Sequence, residues 1–79
     1  MNNIPLNERA LIYQTNGDIT GGFVIERTSS SVRMKDAFQV NENDVGGSTD
    51  PIYTRGGDIG RIEIPFSAIE KWKIPTRDL

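Results

Sequence analysis

The chain contains no cysteine and no histidine. The first absence removes disulfides and thiol nucleophiles, and the second removes imidazole bases and Ser-His-Asp triads. Together they take away the usual ligands of a zinc site, so no metal and no other cofactor is expected. Long apolar runs are also missing: none approaches the ~20 residues of a membrane helix, and no membrane partner is expected. The start, Met1-Asn2-Asn3-Ile4-Pro5, has neither the charged nor the apolar segment of a signal peptide. Zero cysteine is compatible with a reducing compartment, and a cytoplasmic location is the expectation. The sequence has no long like-charge run and no internal repeat.

What is present is small. Seventy-nine residues, 35% of them hydrophobic, make one domain over residues 1–79 with a net charge of −2. A lone core of this size supplies only ~3–5 kcal/mol, so small domains usually add a disulfide, a metal or a partner subunit. With the first two removed, oligomerisation is the route that remains.

Residues 1–7 read as a lead-in, and the domain core is expected over residues 8–74. Ala10-Leu11-Ile12-Tyr13 reads as a strand within residues 8–15. Asn16-Gly17 then predicts a type I′ hairpin, a turn that needs positive φ at both positions. The next strand spans residues 18–28, with Gly21-Gly22 marking a bulge or sharp bend. After a tight turn at residues 28–31, Val32, Met34, Phe38 and Val40 alternate with polar positions, which predicts one apolar strand face. Asp36 falls in the apolar phase and breaks it, which reads as a bulge or a solvated strand end. Residues 41–50 read as a loop by composition, Pro51-Ile52-Tyr53-Thr54 reads as a brief return to strand before Arg55-Gly56-Gly57, and a variable loop over about residues 41–58 is expected. Ile59 to Ile64 alternates again, Pro65 stops the ladder, and a last strand runs over residues 69–74 before a tail at 76–79. Five antiparallel strands with no helix of consequence predict an all-β fold: a small, strongly bent, partly open barrel. Such a barrel leaves its first and last strands with unpaired edges, which invite another chain.

No catalytic constellation emerges, and the protein is not expected to be an enzyme. The acidic stretch Asn41-Glu42-Asn43-Asp44-Val45-Gly46 imitates the start of a calcium loop. It lacks the glutamate that the twelfth position requires, where Ile52 stands. Gly56-Gly57-Asp58-Ile59-Gly60-Arg61 lacks the spacing and the Lys-Ser/Thr of a phosphate loop, and reads as a turn entering a strand. No two carboxylates fall on one predicted rigid wall.

The order of elements over residues 8–74 resembles the Sm/LSm family of small RNA-associated barrels. Gly17 and Gly22 carry the family's glycine spacing, with Leu11, Tyr13, Ile19 and Val24 around them. Val32-Arg33-Met34-Lys35-Asp36 fills the place of its third strand. Ile59-Gly60, Ile62-Glu63-Ile64, residues 65–68 and residues 69–72 fill the second half of its signature. The resemblance implies a strongly bent SH3-like barrel. It also implies a cyclic homo-oligomer of about five to seven subunits, in which the fourth strand of one subunit pairs with the fifth of the next. Ile62, Ile64, Ile69 and Trp72 would then lie at or beside the subunit contact. It further implies binding of single-stranded nucleic acid, RNA first, at the two turns. The candidate contacts are Arg27, Thr28, Ser30 and Ser31 at one turn, and Pro65, Phe66 and Ser67 at the other. The residues with which family members hold uridine are replaced here: the second hairpin reads Thr28-Ser29-Ser30-Ser31, and Ile64-Pro65-Phe66 stands where Ile-Arg-Gly is usual. Lys71 and Lys73 share a phase on the last strand, so local charge can oppose the net −2. The alternative is an SH3-like structural or protein-interaction module without nucleic-acid binding.

Overall fold

The computed structural model describes residues 3–43 and 52–75. It is all-β, with strands β1 (Arg9–Gln14), β2 (Ile19–Arg27), β3 (Ser31–Asn43), β4 (Ile52–Pro65) and β5 (Ile69–Lys73). One 3-10 turn, Phe66–Ala68, joins the last two strands. The strands form a single antiparallel sheet in the order β4-β3-β2-β1-β5. The sheet is not closed, and its edges are β4 and β5. β5 returns to pair with β1 (Ile12 opposite Trp72, Tyr13 opposite Lys71). The first strand is therefore internal, not an edge as chain order suggested.

β1 is short and apolar because both of its faces are covered. Ala10 and Ile12 point into one cluster with Ile4, Val24, Val32, Met34, Ile64 and Ile69. Leu11 and Tyr13 point the other way, into a second cluster with Ile19 and Val40. Ile62, Phe66, Ala68 and Trp72 pack against the first cluster, Phe38 and Tyr53 against the second.

The two clusters depend on a bulge in β3. Met34 pairs with Val24, Lys35 with Phe23 and Phe38 with Gly21, so three β3 steps face two on β2. The extra residue is Asp36, held at φ +51°. A side-chain period of two means that one inserted residue exchanges the faces. Val32 and Met34 therefore enter the first cluster and Phe38 and Val40 the second. The bulge at Asp36 agrees with the sequence, but the four apolar residues do not share the one face expected of them.

Gly21 and Gly22 lie where β2 meets this bulge, and the register shifts between Gly21 and Phe23. A Cβ on Gly21 would sit 2.8 Å from the Phe38 ring. One on Gly22 would sit 3.0 Å from the Ala37 Cα.

The first hairpin differs from the type I′ turn. Gly17 has φ +96°, while Asn16 is not among the positive-φ residues. Gly17 N–H donates to the Gln14 carbonyl (3.0 Å) and Gln14 N–H to the Asp18 carbonyl (2.8 Å). That pattern is a three-residue loop ending in one left-handed glycine. The Asn16 side chain accepts from Asp18 N–H (2.9 Å), which favours the ordinary turn at Asn16.

The expected variable loop over residues 41–58 is mostly strand. Asn41 pairs with Thr54, Val40 with Arg55 and Phe38 with Asp58. Polar and glycine composition suggested a loop, but pairing along a long β3–β4 ladder overrides it. Gly56 fits this ladder closely, since a Cβ there would meet the Gln39 carbonyl at 3.1 Å. Only positions 44–51 of that expected loop, which include the last three residues of the calcium-like stretch, fall outside the described residues, as does the tail at 76–79.

Residues 3–7 are more than a lead-in. Ile4 is fully buried. Asn7 N–H donates to the Val24 carbonyl (2.8 Å) and Val24 N–H to the Glu8 carbonyl (3.0 Å). The Trp72 indole N–H reaches Asn3 Oδ1 at 3.3 Å. The segment thus closes one end of the first cluster.

Candidate nucleic-acid interface

Two places carry the polar and aromatic groups that could meet a ligand. The first is the pair of turns singled out by sequence. In β3–β4 register Ser31 stands opposite Pro65, and Phe66 N–H donates to the Ser30 carbonyl (2.8 Å). The structure thus brings the two turns together. Ser30, Ser31, Pro65, Phe66 and Ser67 line one shallow groove with Ser29 and Glu63. Thr28 lies behind it, its Oγ1 accepting from Ser31 N–H (2.9 Å) and sharing a 2.8 Å hydrogen bond with Ser31 Oγ. Arg27, paired with Val32, is not part of the lining.

The groove is acidic. Ser31 Oγ donates to Glu63 Oε2 (2.7 Å), and Arg33 Nε donates to Glu63 Oε1 (2.9 Å). The Ser31 hydroxyl first, and the Arg33 guanidinium second, hold the Glu63 carboxyl below its ordinary range. Arg33 also bonds Glu26. No cation lines the groove, and the Ser31 hydroxyl is engaged with Thr28 and Glu63. Phe66 is half-buried against the first cluster, so part of its ring serves the core. The four residues placed at a subunit contact also serve the core within one chain: Ile64 and Ile69 are buried in it, and Ile62 and Trp72 pack against it.

The second place is the opposite face of the sheet, over the second cluster. Residue-by-residue pairing aligns Arg9 with Phe23 and Lys35, Leu11 with Gly21, Phe38 and Lys73, and Tyr13 with Ile19, Val40, Lys71 and Arg55 across the strands. Cations lie over the rings. The Lys35 amine is 5.3 Å from the Phe23 centroid, and the Arg55 guanidinium is 4.1 Å from that of Phe38. The Lys71 and Lys73 amines are 4.7 and 5.2 Å from the Tyr13 centroid, and Lys73 is 5.3 Å from that of Tyr53. Each such contact contributes about 0.5–1 kcal/mol at an exposed site. Arg9, Lys35, Arg55, Lys71 and Lys73 are five of the chain's nine Lys+Arg. Charge is therefore segregated, and this face is basic although the chain is net negative. Asp58, paired with Arg55 at 2.9 Å, and Asp36 are the acids beside the rings.

One end of the face is tied by hydrogen bonds. Tyr13 and Tyr53 share one at 2.6 Å, and Lys73 Nζ donates to the Tyr53 hydroxyl at 2.7 Å. Burial, then the bond to Tyr53, pushes the Tyr13 phenol up to about 12. Lys73 is raised by its bond to Tyr53. At neutral pH Tyr13 thus stays a neutral phenol and Lys73 a charged ammonium. Lys71 and Lys73 share a phase as the sequence suggested, but Phe23, Phe38, Tyr13, Tyr53 and Arg55 were not recognised as one surface. The signal was the recurrence of a cation and an aromatic on each strand, and it becomes visible only once the register is known.

Among the described residues no group of three or more acidic side chains is placed to hold a metal ion. No helix there is long and apolar enough to cross a membrane. Compared with protein-family models, with curated proteins and with solved structures, the chain matches none.

Proposed function

We propose that this chain is a non-enzymatic, cytoplasmic Sm-like subunit whose bent sheet forms an SH3-like barrel, and that it binds single-stranded nucleic acid, RNA first, as a homo-oligomeric ring. The observation that carries the binding is the cation-aromatic face to which all five strands contribute. Single strands are held by a positive groove that follows the backbone and by rings on which bases stack, at about 1–3 kcal/mol per stacked base. Phe23, Phe38 and Tyr53 are the partly exposed rings, and Arg9, Lys35, Arg55, Lys71 and Lys73 supply the positive charge. This places the strand on the face away from the acidic turn groove. The turn residues Arg27, Thr28, Ser30, Ser31, Pro65, Phe66 and Ser67 then have a structural role or a minor contact.

The ring is supported by the sheet order. β4 and β5 are the edges, and joining β4 of one copy to β5 of the next extends the sheet without leaving unpaired strands. A repeated face makes modest local charge multivalent.

Light scattering on the eluting protein tests assembly, and fluorescence anisotropy with labelled oligo-U and oligo-A tests binding. A ring that binds either strand, with binding lost in Lys71→Glu/Lys73→Glu and kept in Arg27→Ala, supports the proposal. A stable monomer refutes the ring. A folded protein that binds neither strand at low salt refutes the nucleic-acid role and leaves the protein-interaction module.

A further inference from the structure

We infer that the cleft between Phe23 and Phe38 receives a guanine base, read by the carboxylate of Asp36. The inference rests on the nucleic-acid reading of this face and adds which base the face selects. The cleft has a volume of about 310 Å³ and is lined by Phe23 and Phe38, by Arg9, Lys35 and Arg55, and by Asp36. That volume lies at the small end of ligand sites, suited to one base and its phosphate.

The walls suit a planar group. The Phe38 ring rests against the backbone of Gly21, where a Cβ would come within 2.8 Å of it. The Arg55 guanidinium stacks over the same ring at 4.1 Å. Unstacked bases lie on aromatic faces and on guanidinium planes alike. Phe23 is half-buried under the exposed Lys35 side chain, whose amine can leave the ring for a phosphate.

Asp36 sets the selectivity. It is exposed, is held at φ +51° by the bulge, and makes no hydrogen bond or ion pair with another described residue. An anion among three cations repels phosphate at its own position and accepts N–H donors there. A carboxylate has two acceptor oxygens. Guanine alone presents two adjacent donors, N1–H and the N2 amino group, along one edge. Adenine and cytosine present one amino group beside an acceptor, and uracil presents one imino N–H between two carbonyls that the carboxylate repels.

The test measures anisotropy at fixed salt with an oligouridylate carrying one central guanine, and with the same strand carrying inosine, adenine, cytosine or uridine there. Guanosine monophosphate serves as free competitor. The guanine strand should bind about tenfold tighter than the others, the size of a good bidentate base contact. Inosine, which lacks the N2 amino group, should fall between. Asp36→Asn and Asp36→Gly should remove the preference, so that guanine and uridine strands bind alike. Both replacements accept a positive φ, and the circular dichroism spectrum confirms their fold. Equal affinity for all strands, or a preference that survives both variants, overturns the guanine site while leaving strand binding intact. Direct binding of guanosine monophosphate in titration calorimetry, with no strand bound, upholds the guanine site and overturns the strand reading. Absence of both kinds of binding overturns both.

Discussion

Gly22→Ala should lower stability by about 1–2 kcal/mol, because the bulge leaves no room beside β2. Gly22 is buried opposite Ala10. A Cβ there would meet the Ala37 Cα at 3.0 Å, the Met34 Cε at 3.1 Å and the Lys35 carbonyl at 3.2 Å. Two of these are backbone atoms of β3, so no side-chain rotation relieves them. Overpacking of this kind costs about 1–3 kcal/mol. The alanine returns about 0.4–1 kcal/mol by restricting the unfolded chain, which leaves the net loss stated. A domain of this length is held by only about 4–12 kcal/mol in total. Urea unfolding with an m of about 1 kcal/mol/M would move its midpoint down by about 1–2 M, measured at matched protein concentration because assembly adds stability. Gly21→Ala is the comparison. Its nearest atoms are the tip of the Phe38 ring at 2.8 Å, and that side chain can move. It should cost less stability than Gly22→Ala and should disturb the Phe38–Arg55 stack more. Wild-type stability in Gly22→Ala, or a larger loss in Gly21→Ala, would refute the account of the bulge.

Four further outcomes follow from other contacts. Ile4→Ala, at a fully buried position, should cost about 2–5 kcal/mol in urea unfolding, which a dispensable lead-in would not. Absorbance at 295 nm should show a phenol ionising near pH 12, absent in Tyr13→Phe. The folded state keeps the Tyr13 proton past the ordinary value near 10, so this contribution is intact below pH ~10 and is lost as pH rises toward 12. Ser31→Ala should shift the Glu63 carboxyl upward in a carboxyl NMR titration, because the Ser31 hydroxyl is the main group holding it down. The Glu63 contribution, present at neutral pH, would then disappear at a higher pH as acid is added. Arg55→Ala should weaken oligonucleotide binding and reduce the slope of log affinity against log salt by about 0.7, the share of one phosphate contact with a single strand. An unchanged slope would remove Arg55 from the contact set.

The strands themselves and the places of most turns were legible because their signals are local, whereas the return of β5 to pair with β1 was not. Ala10 to Tyr13 is an apolar run, Gly17 marks a turn, and Asp36 interrupts an alternation as a bulge or a solvated strand end would. What escaped was non-local. The loop-like composition of residues 41–43 and 52–58 says nothing of the ladder that pairs Asn41 with Thr54 and Phe38 with Asp58. The burial of Ile4 depends on a segment that has no periodicity of its own. The turn candidates did converge on one groove, since Ser31 faces Pro65. The Thr28 and Ser31 hydroxyls, however, bond each other, and that of Ser31 also bonds Glu63, a fact of side-chain geometry. The basic face was the largest omission, because its cations come from four strands and only register sets them side by side.

Asp36 joins these observations. Without its extra residue, Phe38 and Val40 would point where Val32 and Met34 point, and the outer face would lose the ring on which Arg55 rests. With it, the strand changes face once and leaves an unpaired carboxylate at the point of change. A residue other than glycine at φ +51° carries strain, and a protein under selection for stability alone would place glycine there. Aspartate tolerates the conformation better than most residues and adds a charge that no described neighbour uses. The residue that breaks the local rule stands inside the cleft, between the two rings that the same bulge sets in place. Backbone geometry and ligand chemistry therefore place their demands on one position, and the aspartate meets both.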